Sequence, residues 1–324
     1  MRLFQNWREM PSPLKGGVIA LGNFDGLHLG HQAVLTEAVK VARAAHVPAG
    51  VMTFEPHPRL FFKPDQEPFL LSPFRIKARL IAALGFDFLY VQPFDHALSQ
   101  MAAADFVAQI LVDGLAVSHI VVGYDYVFGH QRKGNIALLQ ELARRYGFGV
   151  TAVGELTDGG KRYSSTNVRN LLKDGRPADA AKLLGRYWEI EGRVEHGDER
   201  GRTLGFPTAN MSYRDYLHPK KGVYAVRAGI DHGPDTIWHD GVANFGNRPT
   251  FDKTDVLLET HLFDFSDNLY SRHLRVALID FIREERKFDG LEALKAQISA
   301  DSQTARVILA QRGFSDTPAP FVAV

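Results

Sequence analysis

The sequence predicts two folds in succession: an α/β domain built on a mainly parallel sheet, then an antiparallel β-barrel ending in helices. Three observations predict this. The chain has 324 residues, long enough for two domains. Up to about residue 185, strand-length apolar runs alternate with helical spacing, the pattern of a parallel sheet covered by helices. Beyond that point, strand-length runs follow one another with Gly, Asp, Asn and Pro between them, the pattern of an antiparallel barrel. The domains are therefore placed at 1–185 and 186–324, with the boundary near Arg186.

The elements follow in order. Val18 to Leu21 is a short apolar run suited to a strand buried on both faces. Gly22 and Gly26 punctuate a turn. From Gly30 the spacing becomes helical, with Val34, Leu35, Ala38, Val41 and Ala45 on one face. Strands are expected over 49–54, 88–91, 120–123 and 150–153, and helices over 105–115 and 135–146. Ser164, Ser165 or Thr166 can cap a helix running to Leu172. A break over 173–177 precedes a short helix over 178–184, which ends at Gly185. Strands are then expected over 187–194, 223–229, 238–243, 256–263 and 274–282. Leu291, Leu294 and Ile298 mark a helix, and Asp301 or Ser302 can cap a second, running to Gln311.

Composition narrows the function classes. At 45% hydrophobic and 23% charged, this is ordinary globular material. A formal net charge of +1 gives no global field for nucleic acid or a membrane surface, so phosphate chemistry must come from local sites. The absence of cysteine removes disulfides, thiolate nucleophiles and cysteine metal ligands. The first ten residues contain Arg2, Gln5, Asn6, Arg8 and Glu9, which do not fit a secretory apolar core. No apolar run is long enough to span a bilayer. The expectation is a soluble, cytoplasmic chain.

Four stretches of the first half carry chemistry. Gly22-Asn-Phe-Asp-Gly-Leu-His-Leu-Gly-His31 sets His28 and His31 where a turn becomes a helix. A helix start offers free N–H groups and the positive end of the macrodipole. Two imidazoles added there can stabilise charge on a phosphorus in transfer. Asn23, Phe24, Asp25 and Gly30 belong to the same turn. In parallel sheets ligands lie beyond the carboxyl ends of the strands. Thr53-Phe-Glu-Pro-His-Pro58, with His57 between two prolines, and Gly123-Tyr-Asp-Tyr-Val-Phe-Gly129, with Asp125, occupy such positions. The fourth stretch, Ser164-Ser-Thr-Asn-Val-Arg169, gathers hydroxyls, free N–H groups and Arg169, which suit a departing pyrophosphate; taken alone it reads rather as a helix cap beside an exposed arginine, and it gains weight from the histidine turn upstream.

In the second half, Gly201-Arg-Thr-Leu-Gly-Phe-Pro-Thr-Ala-Asn210 has Gly201 and Gly205 where a phosphate can approach the backbone. It lacks the Walker A order. Thr208 and Asn210 alternate, so in a strand they face one side. Their oxygens are hard ligands suited to Mg²⁺. Glu259 stands in the apolar run Val256-Leu-Leu-Glu-Thr-His-Leu262, which a solvated strand face would also explain.

The His-Leu-Gly-His order after Phe-Asp-Gly resembles the nucleotidyltransferase superfamily. Residues 15–170 resemble, more specifically, the FMN adenylyltransferase module of the prokaryotic bifunctional riboflavin kinase/FAD synthetase family, on the four stretches quoted. In that family Phe and Arg often follow the Asp of the loop, whereas Tyr126 and Val127 stand here, with Arg132 and Lys133 nearby. Residues 186–300 are similar to the riboflavin kinase module. The match rests on the Gly201–Asn210 stretch, Lys221-Gly-Val-Tyr224, Gly241-Val-Ala-Asn-Phe-Gly-Asn-Arg-Pro-Thr-Phe251, Leu258-Glu-Thr-His-Leu-Phe-Asp-Phe265 and Phe281-Ile-Arg-Glu-Glu-Arg-Lys-Phe288.

The resemblance implies an α/β Rossmann-like nucleotidyltransferase domain followed by an antiparallel β-barrel riboflavin kinase domain. It implies ATP, riboflavin and FMN as small-molecule substrates, FAD as product, and Mg²⁺ arriving with ATP. It implies that Thr208 and Asn210 hold Mg²⁺-ATP and that Glu259 is the general base. Two other readings stand beside it: a chain in which only the kinase works, and a flavin-nucleotide sensor that does not turn over.

Overall fold

The computed structural model describes residues 1–158, 160–195, 206–249 and 254–314. Gly201 and Gly205 lie outside them. The chain forms two compact units: one of Met1–Glu67 with Phe74–Ser164, the other of Pro68–Pro73 with the described residues from Ser165 onward.

The first unit is the expected α/β domain. Its strands are β1 (Arg2–Phe4), β2 (Val18–Leu21), β3 (Ala49–Glu55), β4 (Phe88–Pro93), β5 (His119–Gly123) and β6 (Gly149–Val153). They lie in the order β1-β4-β3-β2-β5-β6, and every pairing is parallel. All four residues of β2 and six of the seven in β3 are buried, as a sheet covered on both faces requires. The strand order changes direction between β2 and β5. That switch point is where such a sheet opens a crevice for ligand.

Helices α1 (Leu29–Ala45), α2 (Pro58–Phe62), α3 (Phe74–Ala83), α4 (His96–Gln100), α5 (Ala103–Asp105) and α6 (Ile136–Tyr146) complete the unit, with a short hairpin of β7 (Thr157–Asp158) and β8 (Lys161–Arg162). The helix expected over 105–115 continues α5 in the wider π form over Phe106–Gly114. Several elements were not anticipated, among them β1, α2, α3, α4 and the β7–β8 hairpin. β1 is three largely exposed residues paired with distant β4. In α3 the buried stripe of Ile76, Leu80 and Ile81 includes Lys77, whose ammonium donates to Glu55 Oε1 at 2.8 Å.

The second unit begins with α7 (Ser165–Lys173) and α8 (Pro177–Leu184), which pack on each other. Six strands follow: β9 (Glu189–Arg193), β10 (Ala209–Ser212), β11 (Gly222–Ile230), β12 (His239–Pro249), β13 (Thr254–Leu262) and β14 (His273–Arg283). Their order is β10-β13-β12-β11-β14-β9, antiparallel throughout. Past the end of β9, the Glu195 N–H donates to the Asn210 carbonyl of β10 at 2.8 Å. This bond brings the two edge strands together and curls the sheet into a near-barrel. Arg275, fully buried, is held by Glu189 through Nη2–Oε2 and Nε–Oε2 distances of 3.0 and 3.2 Å.

The C-terminal helices expected on either side of residue 301 are one continuous helix, α9 (Leu291–Ala310), packed on β11, β12 and β14. Neither expected cap is available to start a new helix. The Asp301 carboxylate receives the Arg283 guanidinium, Nη2 to Oδ2 at 2.7 Å. The Ser302 hydroxyl donates back to the Ile298 carbonyl at 2.8 Å.

Candidate active sites

In the first unit, the chain leaving β2 turns through Gly22–Leu27 and enters α1 at the switch point. Phe24 and Leu27 adopt left-handed backbone angles, φ 48° and 43°. Such angles cost about 1–3 kcal/mol each in residues other than glycine. Both side chains are buried, and that packing holds the turn. His28 is the N-cap of α1: the His31 N–H donates to His28 Nδ1 at 3.3 Å. With Nδ1 accepting, a neutral His28 ring carries its proton on Nε2.

The two imidazoles stack at 3.7 Å between centroids and 22° between planes, and Phe24 meets His31 edge-on at 5.4 Å. A Cβ on Gly30 would stand 3.1 Å from the His28 ring, so a side chain at 30 would press on the stack. The Thr53 hydroxyl donates to the Asn23 carbonyl at 3.3 Å, tying the end of β3 to the same turn. Asp25 is buried beneath it.

A cavity of about 610 Å³ opens beside this turn. Asn23, His57, Arg59, Tyr126, Val127 and Arg132 contribute polar groups or loop positions, and its walls are aromatic. Burial pushes the Tyr126 phenol far above its ordinary value, so this wall remains neutral. His57 caps α2, its Nδ1 accepting the Arg59 N–H at 3.1 Å. Asp125 is not among the residues lining this cavity. It is exposed and pairs with Arg162, whose Nε also lies 3.0 Å from Glu155 Oε1. The Ser164–Arg169 stretch divides: Ser164 closes the first unit, whereas Ser165, Thr166 and Arg169 lie in α7 of the second. There Arg169 Nε donates to the Phe69 carbonyl at 2.9 Å.

In the second unit, the barrel brings three expected residues together. Asn210 and Glu259 are direct register partners on β10 and β13, and Thr208 immediately precedes β10. Thr208 and Asn210 line a cavity of about 550 Å³ with Pro207, Leu262 and Asp267–Tyr270. Glu259 is exposed. On its other side, β12 places Asn244 opposite it, so Asn210, Glu259 and Asn244 form one row across three strands. Asn244 was not singled out from the sequence, because its Gly- and Pro-containing surroundings read as loop. Its Nδ2 donates to Glu285 Oε1 at 3.1 Å. Asn210 Oδ1 and Asn244 Oδ1 are both buried without a hydrogen-bond partner among the described residues. An orphaned, buried amide oxygen beside a threonine hydroxyl suits a hard cation. Elsewhere in this unit, ligand atoms of Glu191, Asp231 and His273 lie within 4.8 Å of one another.

An α/β half with a histidine turn at its switch point and a barrel half with an Asn/Glu/Asn row beside Thr208 define a two-module transferase. A family model for FAD synthetase matches residues 10–167, and one for riboflavin kinase matches residues 184–309. The bifunctional riboflavin kinase/FMN adenylyltransferase of Escherichia coli K12 is 43% identical over 296 residues, covering 91% of this chain and 93% of its own. The proteins of the same description from Pseudomonas fluorescens and Haemophilus influenzae are 42% and 39% identical, each covered over 98% of its length, with 96% and 94% of this chain aligned. A crystal structure described as a macrolide-efflux protein from Streptococcus pneumoniae superposes with a TM-score of 0.82 at 32% identity, covering 94% of this chain and 98% of its own. Among the described residues, no helix is long and apolar enough to cross a membrane. The chain belongs to the bifunctional riboflavin kinase/FMN adenylyltransferase family.

Proposed function

We propose that the barrel transfers the γ-phosphoryl group of ATP to the ribityl 5′-hydroxyl of riboflavin, and that the α/β half joins AMP to the FMN so formed, releasing pyrophosphate. Family membership supports both activities. The observation that carries the residue assignment is the cross-strand register of Asn210 with Glu259 beside the Thr208 cavity.

In the barrel, Glu259 accepts the proton of the riboflavin hydroxyl as the oxygen–phosphorus bond forms. Thr208 and Asn210 offer their oxygens to the Mg²⁺ that accompanies ATP. Bound there, the ion would neutralise charge on the phosphates. Thr208, Asn210 and the strand backbone orient the nucleotide for in-line transfer.

In the α/β half, the nucleophile is an FMN phosphate oxygen, already anionic, so no general base is required. The Nε2–H of His28, the stacked His31 and the free N–H groups opening α1 stabilise the negative charge that develops on the α-phosphorus of ATP. The aromatic cavity beside the turn takes the flavin ring, with Asn23 and His57 at its edge.

Incubating the protein with riboflavin, ATP and Mg²⁺ and resolving the flavins chromatographically tests this. FMN followed by FAD is expected. FMN alone would confine function to the barrel, and no product would leave a flavin-nucleotide binder.

A further inference from the structure

We propose that Arg132 receives the phosphate ester of FMN in the first unit, and so is the residue by which this half selects FMN over riboflavin. The inference rests on the reading that this half adenylylates FMN.

The aromatic cavity explains how a flat, apolar ring is held, but riboflavin and FMN share that ring. Discrimination between them requires a cation for the phosphate. Val127 faces the cavity as an apolar lining residue and supplies none. The cationic side chains of the lining are Arg59 and Arg132, with His57 beside them. Arg59 is already engaged: its Nε donates to Gln66 Oε1 at 2.6 Å. His57 Nδ1 is occupied in capping α2. Arg132 has an exposed side chain with no hydrogen bond, ion pair or ring contact to another described residue. Lys133, its neighbour, does not line the cavity.

The backbone around Arg132 is arranged for presentation. Gln131 and Arg132 both sit at left-handed angles, φ 55° and 58°, and Gly129, one residue before His130, is also left-handed at φ 72°. Consecutive strained residues persist only where the surroundings enforce them. Here Phe128 and Gly134 exchange two backbone hydrogen bonds, at 3.0 and 2.9 Å, which close the loop. The Arg132 N–H donates to the Gly129 carbonyl at 3.0 Å, and His130 Nδ1 lies 3.0 Å from the Ser99 carbonyl. A clamped, strained turn thus holds an otherwise unengaged guanidinium at the rim of the cavity. Its planar fork matches a phosphate dianion in a bidentate contact.

The test uses the full chain and supplied FMN, measuring FAD formation, with lumichrome as a competing probe that has the flavin ring and no phosphate. Arg132→Ala is expected to raise KM for FMN about 10- to 100-fold, the range for lost hydrogen bonds to a charged group, with a much smaller change in kcat. The inhibition constant of lumichrome should stay at its wild-type value, and Arg132→Lys should recover part of the affinity. Lys133→Ala should leave KM unchanged. An unaltered KM in Arg132→Ala overturns the inference. So does a matching loss of lumichrome inhibition, which would show a collapsed cavity, or a larger effect from Lys133→Ala. If the wild-type chain makes no FAD from FMN at all, it is the adenylyltransferase reading that fails.

Discussion

The two sites are built by different means. The histidine turn is local: ten consecutive residues, a capped helix and a ring stack hold it, and the Met52 carbonyl and Thr53 hydroxyl tie it to the neighbouring strand. The barrel row is non-local: Asn210, Glu259 and Asn244 come from three strands and meet only through register. A local site tolerates distant change but is sensitive to its own backbone. A register-built site depends on every strand that fixes the pairing.

Substitutions and truncations probe that contrast. Glu259→Gln removes a proton acceptor while nearly preserving shape, and loss of a general base typically costs about 10²–10⁴ in rate. It should depress kcat for FMN formation by that much and leave conversion of supplied FMN to FAD untouched. A wild-type kcat would refute the assignment.

Changing both His28 and His31 to Ala should reduce FAD formation by at least about 10²–10³, the usual effect of removing one transition-state donor, and spare FMN formation. Because His28 also caps α1, alanine there costs roughly 1 kcal/mol of stability as well. His28→Asn separates the roles, since asparagine caps a helix but brings no imidazole. It should keep the wild-type melting temperature and still lose FAD synthesis. Retained synthesis would reduce the histidine to its capping role.

Thr208→Ala should act more mildly, raising the Mg²⁺-ATP concentration needed for half-maximal FMN formation while leaving FAD formation alone. A Mg²⁺ titration showing no shift would remove Thr208 from the nucleotide site. The smallest effect concerns folding. We propose that residues 186–324 fold alone, phosphorylate riboflavin and make no FAD. A fragment begun at Ser165 keeps α7 and α8, the latter packed on β14, and should melt a few degrees higher. If only the longer fragment folds, the working boundary is at Ser165.

How much of this was readable without coordinates follows the same division. The strand, turn and helix around His28 are contiguous, so apolar run, glycines and helical spacing each appear in one window of sequence. Glu259 sat in a visible strand, but nothing in the run 256–262 says that Asn210 lies across from it. Only the pairing of β10 with β13 does. Asn244 was hidden because its Gly- and Pro-containing surroundings read as loop beyond the strand expected over 238–243. The helix α3 was concealed by Lys77, a charge on an otherwise apolar stripe that Glu55 makes tolerable in the interior. The break expected at residue 301 was misleading because Asp301 and Ser302 have cap chemistry, but tertiary and back-bonding partners claim both side chains.

The seam of the barrel gives Asn210 two commitments at once. Its carbonyl receives the Glu195 N–H that brings the edge strands together, and its side chain lines the cavity. Fraying of that seam and loss of the pocket are therefore a single event, so the closed seam and the bound nucleotide are thermodynamically linked. A ligand that binds only the closed form stabilises it by about 2.7 kcal/mol when present at 100 times its dissociation constant. The Glu195 amide then becomes an internal gauge of occupancy. Its hydrogen exchange should slow as ATP and Mg²⁺ are raised together. Exchange at Glu195 that ignores nucleotide would show that the pocket and the seam open independently.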